Sequence, residues 1–222
     1  MQTFQTIGMQ VQPQRLSNLR DFLVARARGK SVLHVGAAGG IHAYLPDHRE
    51  RFLHHDLTKA AREIIGIDID SDGIEHAALH GETIMYADCE ELDLGRTFDT
   101  IVMLDVIEHL ERPGVALDRL MAHLDEGGEL IISTPNPTHF GMFMKILLHR
   151  PLEVYWDHIT SFMPENLQVL CNSHGYRISE LFFYTHPNEW SFGNRVKTAI
   201  NRAVSVPVKR WSNAFIVVVR AE

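Results

Sequence analysis

The sequence predicts an α/β fold, a doubly wound and mostly parallel sheet with helices on both faces. Short apolar runs suited to buried strands recur along the chain, and most are separated by segments long enough for a helix. The first run leads into a glycine-rich turn, as is typical of a central parallel strand. With 222 residues, 45% of them hydrophobic, the chain can bury a full core. We therefore expect a single domain over residues 1–222.

Apolar periodicity places the elements in order. Leucines and Phe22 at helical spacing predict an amphipathic leading helix over residues 13–28. The clearest later helices are predicted at 115–124 and within PENLQVLCNSHGY, where Gly175 closes the helix. The predicted strands are SVLHV at 31–35, EIIGID at 63–68, TIMYAD at 83–88, FDTIVML at 98–104, GELIIST at 128–134, YRISELFFY at 176–184 and AFIVVVR at 214–220.

Two segments do not fit the alternation of strands and helices. Residues 136–158 are too long for a simple connection, so we predict a lid or an active-site wall there. Within them, the apolar residues at 139–156 with basic neighbours predict peripheral membrane contact or, equally, the hydrophobic wall of an acceptor pocket. Residues 185–212 are predicted to be an irregular basic insertion, either a solvated face or a contact for acidic groups of a substrate.

Composition narrows the classes of partner and compartment. The net charge of −7 argues against a general nucleic-acid-binding protein, because phosphate contacts need an excess of Lys and Arg. A small-molecule or glycan substrate is favoured instead. Two cysteines without a CxxC pair indicate free thiols. Because the sequence also shows neither a signal peptide pattern nor a long apolar run, we expect a cytoplasmic protein.

Fourteen histidines raise the question of a metal site. None has the HExxH or Cys/His spacing that would place several ligands around one ion. His54 and His55 are adjacent, so their side chains point in different directions. We therefore predict no metal site and interpret the histidines as polar surface residues.

A glycine-rich turn and the acids that follow later strands predict a nucleotide-like cofactor site. Such ligands bind at the carboxyl ends of parallel strands, where the first turn must let them approach the backbone. Asp68 ends the second of these strands, where a carboxylate can accept hydrogen bonds from both ribose hydroxyls. Its alternative role, capping the next helix, we assign to Asp70 or Ser71. The turn consists of Gly36, Ala37, Ala38, Gly39 and Gly40.

The order of SVLHVGAAGG, EIIGIDID, ADCEEL and FDTIVMLDVIEHL resembles that of a class I S-adenosylmethionine-dependent methyltransferase, over roughly residues 29–183. The resemblance implies a Rossmann-like, seven-stranded sheet with an antiparallel last strand, and S-adenosyl-L-methionine as cofactor. The VIEHL and STPNP stretches resemble small-molecule methyltransferases of ubiquinone synthesis and of sugar or surface-polysaccharide pathways. Methyl transfer to a small-molecule or glycan acceptor is implied, with oxygen favoured as the accepting atom.

The resemblance also implies roles for individual residues. Asp88 and the backbone amide of Cys89 would contact the adenine, and Leu104 would line the methionine part of the cofactor. Ile69, next to Asp68, is included in the same cofactor site.

Two positions depart from the family pattern. Ala38 stands where GxGxG has its middle glycine, and its methyl group is tolerable if the local φ is negative. His34 stands where the family usually has an acid, two positions before the first glycine. We interpret His34 as a neutral structural donor, with direct cofactor contact as the alternative.

Two histidines are candidates for the base that a hydroxyl acceptor needs, because imidazole titrates near neutral pH. His109 follows the FDTIVML strand. His158 is the second residue of DHITSFMPENL and begins the part that resembles the HxxxFsPeeL stretch of related methyltransferases. A packing role is the alternative for either histidine. Asp105 and Glu108 have the spacing of a capping box, which we favour over a catalytic role.

Two other functions use the same fold. A nicotinamide-dependent dehydrogenase would need glycines where the chain has Ala38 and Ile41. A non-catalytic cofactor-binding or partner-regulating module is the remaining alternative. Against it, Asp68 and Asp88 both stand at their expected strand ends.

Overall fold

A computed structural model of the chain describes residues 6–186 and 192–221. Short 3₁₀ helices lie at Arg49–Arg51, Ile107–His109 and Lys209–Trp211. The helices are α1 (Leu19–Ala27), α2 (Ile41–Tyr44), α3 (Leu53–Ala60), α4 (Ser71–Leu79), α5 (Pro113–Ala122), α6 (Phe140–Leu147), α7 (Pro164–Ser173) and α8 (Phe192–Ser205). The strands are β1 (Pro13–Arg15), β2 (Ser31–Val35), β3 (Glu63–Asp68), β4 (Ile84–Tyr86), β5 (Phe98–Leu104), β6 (Leu124–Pro135), β7 (Tyr176–Tyr184) and β8 (Ala214–Ala221).

The strands form one mixed sheet in the order β1-β7-β8-β6-β5-β2-β3-β4. Strands β2 to β6 pair in parallel, whereas β8 is antiparallel to both of its neighbours, β6 and β7. The predicted doubly wound sheet with an antiparallel last strand is therefore confirmed. Strand order reverses between β2 and β5, so the carboxyl ends of five parallel strands meet at one edge with a crevice at the reversal.

Side chains of the central strands alternate between two apolar layers. Leu33 and Met103 lie in the layer that packs against α5 and α7. Val32 and Val102 lie in the opposite layer, against α1 and α3. Because successive strand residues point to opposite faces, each strand contributes side chains to both layers. A strand covered on both faces must therefore be almost wholly apolar.

The start of the chain differs from the prediction, because the leading helix does not begin at residue 13. Residues Pro13–Arg15 pair in parallel with β7 and add an eighth strand at the sheet edge. Helix α1 begins only at Leu19, where the Asn18 side chain accepts hydrogen bonds from the backbone amides of Arg20 and Asp21. The edge pairing is long-range, and helical spacing of apolar residues carries no sign of it.

The two insertions both contain helices. Residues 136–158 hold α6, none of whose residues is buried. The prediction that 185–212 is irregular is wrong, since most of it forms α8 and the last 3₁₀ helix; residues 187–191 lie outside the described part. In the described ranges, no helix has both the length and the apolar character needed to cross a bilayer.

Candidate active site

The glycine-rich turn lies at the carboxyl edge of the sheet, between β2 and α2. Gly36 has a φ of +74°, and a Cβ there would lie 2.5 Å from Cγ2 of Val106, so the position requires glycine. The backbone amides of Gly36 and Ala37 donate to the carbonyl of Ile67 at 3.0 and 3.1 Å. Gly40, with a φ of +71°, precedes α2. The turn is thereby fixed between the ends of β3 and β5.

Asp68 joins the end of β3 to this turn. Its Oδ2 accepts a hydrogen bond of 2.8 Å from the backbone amide of Ala38, and its Oδ1 accepts one of 3.0 Å from Asp70. Each carboxylate oxygen has a second lone pair, so the half-buried side chain can still accept bonds from a ligand. Asp70 occupies the N-cap position of α4 without a side-chain cap bond, so its predicted capping role is wrong.

Ala38 fits its position without occupying the open side of the turn. The residue is 3% exposed, and its methyl group packs towards Gly73 of α4, where an added Cβ would lie 3.0 Å away. Among the described non-glycine residues, positive φ occurs at Asp105 and His149. The φ of Ala38 is therefore negative, which is the condition under which its methyl group is tolerable. At this departure from GxGxG, the additional methyl group therefore packs between the turn and α4.

His34 lies beneath the turn and contacts a second buried histidine. The two Nδ1 atoms of His34 and His54 are 3.1 Å apart, and the side chains are 4% and 2% exposed. Burial, and then the neighbouring ring of His54, lowers the pKa of His34 well below its usual value. His34 is therefore a neutral structural residue. The prediction that the histidines lie on the surface is wrong for this pair and for the buried His123.

The remaining predicted cofactor residues also follow parallel strands. Asp88 borders an open cavity of about 390 Å³ after β4, and one of its carboxylate oxygens accepts a 2.8 Å bond from the amide of Glu90. Cys89 is buried, and burial raises the pKa of its thiol to about 12, which keeps the thiol protonated. Ile69 is 63% exposed at the sheet edge, and Leu104 is half-buried at the end of β5.

Glu108 differs most from its prediction, because the proposed capping box does not form. Residues Ile107–His109 make a single 3₁₀ turn, and the next helix begins at Pro113. Glu108 is 1% exposed; one carboxylate oxygen accepts a 3.0 Å bond from Oγ1 of Thr134, and the other has no partner. Burial, followed by the charge of Asp105, raises the pKa of Glu108 to about 7.

The sequence contained a sign of this arrangement. Proline favours the first turn of a helix. Pro113 therefore indicates that a new helix starts at that residue, which leaves too little chain for a helix capped by Asp105 and Glu108.

The structure brings the two predicted catalytic histidines together. The ring centroids of His109 and His158 are 4.7 Å apart with perpendicular planes. Nδ1 of His109 is 3.0 Å from the carbonyl oxygen of Asp157, and the ring of Tyr155 is 5.0 Å from that of His158. Partial burial, then His109, lowers the pKa of His158. Glu108 completes the group, since one nitrogen or oxygen from each of the three residues lies within 4.8 Å of the others.

Asp105 holds the start of this segment in an unusual conformation. Its φ is +50°, which is uncommon for a non-glycine residue and recurs at functional sites. Oδ1 of Asp105 accepts a 2.8 Å bond from Oγ of Ser133, and its backbone amide donates to the carbonyl of the same residue at 3.1 Å. These bonds to β6 fix the direction in which the chain enters the 3₁₀ turn.

A profile of the family described as methyltransferase domain matches residues 9–181. The chain belongs to this methyltransferase family. The membership confirms the family predicted from the sequence, its class as an S-adenosylmethionine-dependent methyltransferase, and the cofactor.

Curated relatives carry one recurring name. The ubiquinone biosynthesis O-methyltransferase of Nitrobacter winogradskyi is 31% identical over 114 residues, which cover 49% of this chain and 40% of that protein. The protein of the same name from Azorhizobium caulinodans is 27% identical over 200 residues, covering 77% of this chain and 72% of that protein. In most such matches the chain spans about half the length of the relative.

Solved structures agree on the fold. The magnesium protoporphyrin IX methyltransferase of Synechocystis, with S-adenosylhomocysteine bound, superposes with a TM-score of 0.59 at 18% identity, covering 91% of this chain and 82% of that chain. A SAM-dependent methyltransferase from Archaeoglobus fulgidus gives 0.59 at 18% identity, with 90% and 93% covered. The Rossmann-like methyltransferase fold is thereby confirmed.

Proposed function

We propose that this methyltransferase transfers the methyl group of S-adenosylmethionine to a hydroxyl oxygen of a small-molecule acceptor. The observation that carries the proposal is the group formed by Glu108, His109 and His158 beside the cofactor turn. The contact of Val106 with Gly36 links the two, because Val106 stands two residues before Glu108. Side chains with lone pairs thus lie at the same strand ends as the predicted cofactor site.

The cofactor would lie across the reversal point between β2 and β5. Asp68 would accept hydrogen bonds from the ribose hydroxyls through its remaining lone pairs. Asp88 and the amide of Cys89 would bind the adenine, with the exposed Ile69 against its face, and Leu104 would line the methionine part. The turn of small residues would let the cofactor approach the protein backbone closely, at Gly36, Ala37, Ala38, Gly39 and Gly40.

Methyl transfer depends mainly on holding the acceptor oxygen in line with the methyl group and the sulfur. The acceptor oxygen forms a bond to the methyl carbon while the carbon–sulfur bond breaks and its electron pair goes to sulfur. The hydroxyl proton must also leave, and the group around His109 and His158 supplies lone pairs for that purpose. Relatives named O-methyltransferases support oxygen as the accepting atom.

An apolar acceptor is favoured over a glycan by the surface of the 139–156 segment. Ile146, Leu147 and Leu148 are 59–60% exposed, and Trp156 is 94% exposed. Together with the basic Lys145, this surface suits an interface that holds apolar molecules next to anionic groups. We propose that the segment contacts membranes peripherally from the cytoplasm and that nucleic acid is not the substrate.

Vesicle flotation tests the membrane contact. Replacing Leu147 and Leu148 by glutamate should abolish co-flotation with anionic vesicles. The matched control is Leu79→Glu, at a 75% exposed leucine of α4, which should float like the wild type. Equal flotation of all three proteins would contradict a role for this segment.

Methyl transfer is tested with S-adenosylmethionine carrying a labelled methyl group and a panel of phenols, sugars and amines. We expect label on the oxygen of an apolar phenol or alcohol, and none on its O-methylated analogue. Label on sugars alone would support a glycan acceptor. Cofactor binding without transfer to any acceptor would support the non-catalytic module instead.

A further inference from the structure

The group formed by Glu108, His109 and His158 has the composition of a metal site. The two histidines come from different parts of the chain, the 3₁₀ turn after β5 and the segment before α7. One nitrogen or oxygen atom from each of the three side chains lies within 4.8 Å of the others. We propose that these three residues bind a divalent transition-metal ion, which holds and activates the acceptor hydroxyl; the second part rests on the proposed function.

The carboxylate of Glu108 supplies an independent reason. The side chain is 1% exposed, and one of its oxygens has no hydrogen-bond partner. Most buried polar atoms in proteins are paired, because an unpaired one forfeits its interactions with water. The bond from Thr134 to the other oxygen fixes the carboxylate in place. A cation between Glu108 and the histidines would satisfy the unpaired oxygen.

His109 is held as metal-bound histidines usually are. Its Nδ1 lies 3.0 Å from the carbonyl oxygen of Asp157, and 3.5 Å from a carboxylate oxygen of the same residue. A carbonyl oxygen only accepts, so Nδ1 carries the hydrogen and Nε2 keeps its lone pair. Metal-binding histidines typically donate their second nitrogen in this way, which fixes the ring and its tautomer.

The donor set indicates which ions fit. Two imidazoles and one carboxylate suit zinc, cobalt, manganese or iron better than magnesium or calcium, which prefer oxygen ligands. In a tetrahedral site, ligand bonds of about 2.0–2.2 Å place donor atoms about 3.3–3.6 Å apart. Because the three donor atoms lie within 4.8 Å of one another, each would have to move inward by up to about 1 Å to close the site. Three protein ligands leave coordination positions free, as in catalytic zinc sites. His109 and His158 are only half-buried, which leaves those positions open to the cleft.

A bound ion would change the roles of the histidines. The acceptor hydroxyl would coordinate the ion, which lowers the pKa of the hydroxyl and releases its proton to solvent. The resulting oxyanion would then form the bond to the methyl carbon as the carbon–sulfur bond breaks and its electron pair goes to sulfur. The histidines would be ligands that position the acceptor rather than bases.

Cobalt binding to the full chain tests the proposal without an activity readout. After treatment with a chelator and its removal, Co²⁺ should bind at one equivalent and produce visible absorption bands. Glu108→Gln and His158→Asn should each weaken that binding at least about tenfold. The matched control is His174→Asn, because His174 also pairs with a carboxylate, at 2.9 Å from Asp118, but lies outside the group. This control should bind Co²⁺ like the wild type.

Several results would overturn the metal site. Absence of Co²⁺ binding would do so, as would equal binding by the wild type and both site variants, or loss of binding in His174→Asn alone. Thermal unfolding identifies variants that fail to fold, and the half-buried His158 provides a variant with little effect on the core. Co²⁺ binding without S-adenosylmethionine binding would leave the metal site standing and overturn the proposed function.

Discussion

The backbone amide of Ala38 donates a 2.8 Å hydrogen bond to Oδ2 of Asp68. This bond connects the first turn of the sheet to the end of the neighbouring strand. The same carboxylate accepts a second bond from the amide of Asp70, so two backbone donors fix its orientation. A carboxylate held in this way is already oriented when a ligand arrives, so less side-chain entropy is lost on binding.

Asp68→Asn should weaken S-adenosylmethionine binding by about 1–3 kcal/mol, or roughly 5- to 150-fold, because a charge-assisted bond to the ribose is lost. Asparagine keeps one acceptor oxygen for the turn, so the fold should persist. Calorimetric titration measures the affinity. Asp72→Asn, at an exposed position in the first turn of α4, is the control and should bind normally. Unchanged affinity in Asp68→Asn would refute the ribose assignment.

Gly36→Ala should destabilise the protein more than Gly81→Ala. Both glycines have a φ near +75°, so both variants bear the left-handed cost of about 1–2 kcal/mol. A Cβ at Gly36 would also lie 2.5 Å from Cγ2 of Val106, whereas nothing lies within 4 Å at Gly81. Overpacking adds about 1–3 kcal/mol. Denaturant unfolding of both variants measures the difference, and equal losses would show that the turn can move away from Val106.

Burial of His34 and His54 should cost the protein stability as the pH drops below about 6.5, the unfolded-state pKa of histidine, whereas the raised pKa of Glu108 acts in the opposite direction. The folded-state pKa values of His34 and His54 are lowered, so the unfolded chain binds these protons first. Each histidine contributes at most about 1.4 kcal/mol per pH unit, down to its folded-state pKa. Urea unfolding from pH 7.5 to 5 should show a shallower slope for His34→Gln than for the wild type. His42→Gln, at an exposed site, should keep the wild-type slope.

His109→Asn and His158→Asn should each lower kcat by about 10²–10⁴-fold, because removing either side chain impairs activation of the acceptor hydroxyl, as a base or as a metal ligand. The affinity for S-adenosylmethionine should stay within about twofold, because neither side chain belongs to the cofactor turn. The double variant should lose little more than either single variant, since the two act as a unit. Steady-state kinetics check this, and additive losses would indicate independent roles. His174→Asn should retain full activity.

The central strands were predictable because their apolar runs can be recognised in the local sequence alone. The runs SVLHV and FDTIVML are buried on both faces, so nearly every residue is apolar and the bounds are sharp. Where long-range pairing decides, the prediction failed. The pairing of Pro13–Arg15 with β7 shortens the leading helix, and no periodic pattern in residues 13–28 encodes that partner.

The candidate site divides in the same way. The glycine turn and the acids at strand ends follow from the rule that ligands bind at the carboxyl edge, and the structure places Asp68 and Asp88 there. The burial of the Glu108 side chain could not be predicted in this way, because the residue that hydrogen-bonds its carboxylate, Thr134, lies on β6. The role of His34 likewise depends on a contact with His54, which lies on α3, twenty residues later in the sequence.

Calorimetric titration of the purified chain with S-adenosylmethionine and, separately, with NADH tests the central claim most directly. We predict micromolar binding of S-adenosylmethionine at one site and no binding of NADH, because the turn lacks the glycine spacing of a dinucleotide site. Absence of S-adenosylmethionine binding by the folded protein would contradict the proposed function. Binding of NADH alone would assign the fold to the dehydrogenase class instead.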